Sequence, residues 1–162
     1  MTLPKIIVYT DGAARGNPGP GGFGAVLMAG SHRKEISKGF RLTTNNRMEL
    51  LAVIEALEAL RLLPSQVTVY TDSKYVSDSV DKGWLFDWER KQFKKKKNPD
   101  LWIRFLKIYR QHKVRFIWIK GHANIPENER CDELAVAASL GNNLPADTVY
   151  ESEINNETGN LL

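Results

Sequence analysis

Two segments of the chain repeat one short pattern. Val8-Tyr9-Thr10-Asp11-Gly12 and Val69-Tyr70-Thr71-Asp72-Ser73 each close an apolar run on an aspartate in the same phase. Strands of this kind pairing side by side in parallel, about 4.8 Å apart, would present the two carboxylates together. Open α/β sheets bind ligands beyond the carboxyl ends of their strands, so chemistry is expected at that edge. Asp-Gly and Asp-Ser also make ordinary turns and helix caps, so neither aspartate alone establishes a site. Two further acids border apolar helical stripes, Glu49 beside Leu50 and Asp132 before Leu134. Taken singly, each also reads as a solvated acid favoured by its helix dipole. His122 follows Gly121 past a third apolar run, where it suits a place beside such acids and equally an exposed loop.

The elements that must position these groups can be read from periodicity. Ile6 to Tyr9, Val67 to Tyr70 and Val114 to Ile119 are β-branched and aromatic runs bounded by turn residues, hence strands. After the first, the Gly/Pro cluster of residues 14–22 turns the chain into FGAVLMA and then HRKEISKGF, an antiparallel meander. From Asn45 to Arg61 the period changes, with Leu50, Val53, Ile54, Leu57 and Leu60 forming a helical stripe that Pro64 ends. Further helices are expected after Ser73 as N-cap, near Asn98-Pro99-Asp100, and from Pro126. The order βββ, α, β, α, α, β, α describes an α/β fold: a five-stranded mixed sheet, three antiparallel strands then two parallel, with helices on both faces. Cys131 and Trp102 are read as core residues.

The stretches YTDGAARGNPGPGGFG, TTNNRMELLAVIEALEAL, VYTDSKYV and IKGHANIPENERCDELA together resemble the motif blocks of the type 1 ribonuclease H family, in order and spacing, over residues 5–140. The resemblance implies the ribonuclease H-like fold and an endonuclease that hydrolyses the RNA strand of an RNA–DNA hybrid, leaving 3′-hydroxyl and 5′-phosphate ends. By block, the four metal-site acids of the family fall on Asp11, Glu49, Asp72 and Asp132, and its loop histidine on His122. Asp11 would bridge two ions, with Asp72 on the nucleophile side and Glu49 and Asp132 on the leaving-group side. Four carboxylates in one cleft repel and rise in pKa unless cations neutralise them. An all-oxygen ligand set without a Cys/His cluster prefers a hard ion, Mg²⁺ with Mn²⁺ as the alternative.

Reading RNA against DNA requires contacts to the 2′-hydroxyl by groups that donate and accept. Asn17 and Asn45 match family positions with that task, and both also suit a turn or cap. Lys74 stands where many bacterial relatives have glutamine, which leaves one minor-groove contact open. Lys94, Lys95, Lys96 and Lys97, with Trp84 and Trp88, resemble the family's basic protrusion, where cations meet phosphates and rings pack on deoxyribose. Thr44 and Asn98 match its DNA phosphate pocket. A DNA-cutting or strand-transferring relative of the same fold, or a non-catalytic hybrid-binding module, would share parts of this pattern.

Composition agrees with a polyanionic partner. The 162 residues carry a net charge of +4, which becomes +8 for residues 1–146 once the four acids of the last sixteen residues, unaccompanied by Lys or Arg, are set aside. The expected organisation is one catalytic domain over residues 1–146 and a polar, poorly ordered tail over 147–162. With the first strand starting at Ile6, a preceding hybrid-binding domain is not expected. A signal peptide, a membrane span and a membrane partner are not expected either, so the reading is of a cytoplasmic monomer.

Overall fold

The computed structural model describes residues 2–160. Strands β1 (Lys5–Ala14), β2 (Gly19–Ala29) and β3 (His32–Thr43) form the antiparallel meander, and β4 (Gln66–Thr71) and β5 (Lys113–Trp118) extend it in parallel. The sheet order is β3-β2-β1-β4-β5, the five-stranded mixed sheet expected. The echoed segments lie side by side in register, Tyr9 opposite Tyr70 and Thr10 opposite Thr71, with the two tyrosine rings stacked at 4.6 Å. Asp11 and Asp72 are therefore the next residues beyond that parallel pairing. Strand β1 does not stop there: Asp11 to Ala14 continue against β2, with Asp11 opposite Gly24 and Gly12 opposite Phe23.

Alternate residues of a strand face opposite sides of the sheet, and this assigns the helices. Helix α1 (Asn45–Glu58) comes so close to β1 that a Cβ on Gly12 would lie 2.5 Å from the Glu49 backbone nitrogen. Helix α5 (Pro126–Ser139) lies on the other face, where a Cβ on Gly24 would lie 2.5 Å from the Cys131 carbonyl. Only glycine permits either approach. Asp11, opposite Gly24, consequently faces α5, whereas the backbone of Gly12 meets α1.

Thr44 caps α1 by accepting from the Arg47 backbone N–H at 3.2 Å. The helix is buried well beyond its predicted stripe, at Met48, Leu51, Ala52 and Ala56 as well, because the sheet covers one side and α4 (Pro99–Tyr109) the other. Burying a side chain the size of Met48 or Leu51 contributes roughly 1.5–3 kcal/mol. Ser73 caps α2 (Lys74–Asp81) as anticipated, accepting from Val76 N–H at 3.2 Å. Trp102 is fully buried within a ring cluster with Tyr75, Trp88 and Phe105, and Cys131 is fully buried too, its thiol donating to the Tyr9 carbonyl at 3.2 Å. Helix α3 (Trp84–Arg90) was not anticipated.

The tail departs from its expectation. Residues Thr148–Asn160 form helix α6, and Asp147, placed outside the domain by the sequence reading, is buried inside it. Asp147 accepts from Arg47 Nε at 2.7 Å and from the Thr43 hydroxyl at 2.7 Å, while Arg41 forks onto Glu151 at 2.8–3.2 Å. The tail is held by charge pairing, which composition and apolar periodicity do not register. Leu161 and Leu162 lie outside the described residues.

Candidate active site

Where the parallel pairing of β1 with β4 ends, oxygens of Asp11, Glu49 and Asp72 come within 4.8 Å of one another. Asp11 arrives from β1, Asp72 from the β4–α2 junction and Glu49 from the second turn of α1. The Gly12 backbone N–H donates to a Glu49 carboxylate oxygen and, at 2.8 Å, to Oδ1 of Asp11, so one amide ties two acids from different elements. Asp72 is framed by its neighbours: Ser73 N–H donates to Thr71 Oγ1 at 3.0 Å, and Trp118 Nε1 donates to the Asp72 carbonyl at 3.0 Å. A Cβ on Gly121 would lie 3.0 Å from Asp72 Oδ2, so a side chain there would crowd the carboxylate.

The electrostatics are those of an unneutralised anionic cluster. Burial pushes the Asp11 carboxyl up to about 6, opposed by its hydrogen bond with Glu49 and reinforced by the charge of Asp72. Glu49 is held well above the usual carboxylate range, first by burial and then by Asp11. Asp72 is also raised, chiefly by burial. Desolvation thus outweighs the mutual repulsion on which the sequence argument relied. The donor set is entirely oxygen, partly desolvated and deficient in positive charge. It fits a hard divalent cation.

Asp11 and Asp72 line two clefts. One continues to Glu49, Asn45 and Lys74. The other, on the α5 side, continues to His122, Asn128, Glu129 and Asp132. Glu49 and Asp132 therefore open onto different clefts on either side of the Asp11–Asp72 pair, whereas the family resemblance groups them on one leaving-group side. The physical reason is the strand alternation above, since α1 and α5 lie on opposite faces. His122 is exposed in the loop after β5, with φ 57°.

The residues considered for substrate contact fall into two regions. Asn17 Oδ1 accepts from the Asn45 backbone N–H at 3.0 Å and Asn45 Oδ1 accepts from Ala14 N–H at 2.5 Å, so the two amides link the β1–β2 loop to the start of α1. Their NH₂ groups have no protein partner among the described residues. Lys74 Nζ sits 4.7 Å from the centre of the Trp118 ring, at the mouth of the Glu49 cleft. Trp84 is 44% exposed with Lys82 over its ring, and Trp88 packs edge-on to Trp102 with Lys96 at 5.3 Å. Lys94 to Lys97 are all exposed. Asn98 bonds both the Tyr75 hydroxyl, at 3.1 Å, and Arg47, at 3.3 Å. It shares a cleft with Thr44, Asn17 and Lys97.

Three residues that support these regions were not singled out from sequence. Trp118 alternates along an edge strand and gives no hint of its bond to Asp72. Asn128 is buried against the α5-side cleft, its Oδ1 without a protein partner among the described residues. Arg47 is almost wholly buried, neutralised by Asp100 and Asp147 at 2.7 Å each. An arginine in the first turn of a helix ordinarily reads as solvated, and nothing in its local pattern signals otherwise.

An α/β sheet of this order with acids clustered at the ends of its central parallel pair is the ribonuclease H-like architecture. The RNase H family model matches residues 4–140, and the chain belongs to the ribonuclease H family. It is 53% identical over 154 residues to the ribonuclease H of Rippkaea orientalis, covering 92% of this chain and 94% of that protein. To that of Desulforamulus reducens it is 55% identical over 150 residues, covering 90% and 94%. Among solved structures it is similar to LC9-RNase H1, a type 1 enzyme with the type 2 active-site motif, with TM-score 0.78 and 31% identity, covering 86% of this chain and 74% of that one. It is also similar to LC11-RNase H1 in complex with RNA/DNA hybrid, with TM-score 0.62 and 32% identity, covering 82% and 95%.

Proposed function

We propose that this protein is an endonuclease that hydrolyses the RNA strand of RNA–DNA hybrids with two Mg²⁺ ions, leaving 3′-hydroxyl and 5′-phosphate ends. The observation that carries the reading is the meeting of Asp11, Glu49 and Asp72 within 4.8 Å, in a chain of the ribonuclease H family. Asp11 and Asp72, which line both clefts, would serve both ions, with Glu49 completing the α1 side and Asp132 the α5 side. Bound there, the ions supply positive charge to the attacking and leaving oxygens of an in-line phosphoryl displacement. Water forms the new P–O bond, the P–O3′ bond breaks, and the 3′ oxygen leaves as the hydroxyl. His122, exposed on the α5-side cleft, is suited to carry a proton away or to hasten product departure, because imidazole exchanges protons near neutral pH.

The side-chain NH₂ groups of Asn17 and Asn45 are the donors offered to 2′-hydroxyls. Lys74, stacked on Trp118, offers charge where an amide would have offered a bonded contact. The DNA strand is assigned to Trp84, Trp88 and Lys94 to Lys97, with one phosphate at Thr44 and Asn98. The hybrid complex of LC11-RNase H1 supports this substrate class. Among the described residues no helix is long and apolar enough to cross a membrane, and action as a cytoplasmic monomer belongs to the same proposal. The test is Asp72→Asn, which preserves shape and removes an anionic ligand. Hybrid binding is expected to persist while cleavage in Mg²⁺ is abolished; substantial residual cleavage refutes the assignment of the acids.

A further inference from the structure

The cleft that holds Thr44, Lys97 and Asn98, assigned above to a DNA-strand phosphate, is completed by Glu153 and Glu157 of α6. Helix α6 contains no Lys or Arg. It is anchored at its start by Asp147 on Arg47 and Thr43, and one turn on by the Glu151 fork on Arg41. Arg47 and Arg41 are thereby paired with tail acids, while Glu153 and Glu157, with no ion pair among the described residues, line the cleft itself. A phosphate entering beside Lys97 shares the cleft with both carboxylates, and repulsion acting over less than a Debye length, roughly 8–10 Å at physiological salt, is only partly screened.

We propose that α6 is an affinity-limiting acidic wall: it holds down the binding of any nucleic-acid strand in this cleft, RNA–DNA hybrid and DNA duplex alike. The proposal rests on the DNA-strand reading given above. Its sequence correlate is the charge asymmetry between residues 1–146 and the tail.

The test compares Glu153→Gln/Glu157→Gln with the parent, both in an Asp72→Asn background, by fluorescence anisotropy on a hybrid and on a DNA duplex of matched sequence. At ~50 mM salt the double variant is expected to bind both about 5- to 20-fold more tightly, and at ~0.5 M salt less than about 2-fold more tightly. Removing two acids outside the cleft and the strand-contact regions, Glu35→Gln with Glu58→Gln, is expected to give a clearly smaller gain. Melting curves verify that the variants remain folded. Unchanged or weaker binding by the double variant, or an equal gain in the control, overturns the wall. Failure of the parent itself to bind either substrate strikes at the strand-binding reading, and the wall falls with it, an outcome visible before any α6 variant is measured.

Discussion

Asp147→Ala should destabilise the whole domain, although sequence alone places Asp147 in a dispensable tail. The side chain of Arg47 is 2% exposed and that of Asp147 10%. Arg47 donates to Asp147 at 2.7 and 3.0 Å and to Asp100 at 2.9 and 2.7 Å, and the Thr43 hydroxyl donates to Asp147 at 2.7 Å. Deleting the Asp147 carboxylate leaves a buried guanidinium with half its compensation and a buried hydroxyl without a partner. Breaking a buried pair costs about 3–5 kcal/mol, and the surviving Asp100 fork reduces this to about 2–4 kcal/mol. With about 2–4 °C per kcal/mol for a domain of this size, Tm should fall by about 5–15 °C. Truncation after Asp147 keeps every one of these bonds and removes the exposed Arg41–Glu151 pair, the Tyr150 ring that lies 5.9 Å from the Arg47 guanidinium, and light packing, so it should cost less. Thermal and urea melts at pH 7 on both variants provide the comparison. A loss for Asp147→Ala no larger than that of the truncation would refute the argument that this ion cluster closes the domain.

Other expectations follow from the site. Burial raises Asp11 from its ordinary 3.8 to about 6, so its contribution to stability is present below about pH 4 and lost as pH rises through about 6. Asp11→Asn should therefore stabilise the metal-free protein at pH 7, by at most about 3 kcal/mol, and little at pH 4; equal melting temperatures at pH 7 contradict this. Replacing Lys94 to Lys97 with alanine should weaken hybrid binding and flatten its log–log salt dependence by about 0.7–0.9 per lost phosphate contact, and an unchanged slope would return the run to a merely solvated surface. His122→Ala should slow turnover by about 10²-fold or less with nearly unchanged substrate binding. Severity equal to that of Asp72→Asn would make the histidine a primary group or a structural one, which a melt distinguishes.

The legible part of this fold lay in patterns that are local. The Val-Tyr-Thr-Asp echo foretold a parallel pair in register, because identical strands with identical alternation bury the same face, and Ser73 and Pro99 marked helix starts through capping chemistry. What escaped was set by partners distant in sequence. Gly12 to Ala14 have weak strand propensity and join β1 only because Gly21 to Phe23 lie opposite. Helix α3 follows Gly83, at φ 76°, and its short amphipathic turn was hidden among lysines and tryptophans. Glu49 and Asp132 were both legible as border acids, but their separation across the Asp11–Asp72 pair depends on which face each helix covers. Arg47 and Asp147, one hundred residues apart, could be matched only in three dimensions.

The central claim concerns substrate and cation together, so the direct measurement is cleavage of a matched set: RNA–DNA hybrid, double-stranded RNA and double-stranded DNA of one sequence, each with Mg²⁺ and with the ion chelated. The account predicts cuts in the RNA strand of the hybrid alone, only with Mg²⁺, leaving 3′-hydroxyl and 5′-phosphate ends. Comparable cutting of either homoduplex, or hybrid cleavage that persists under chelation, would contradict it.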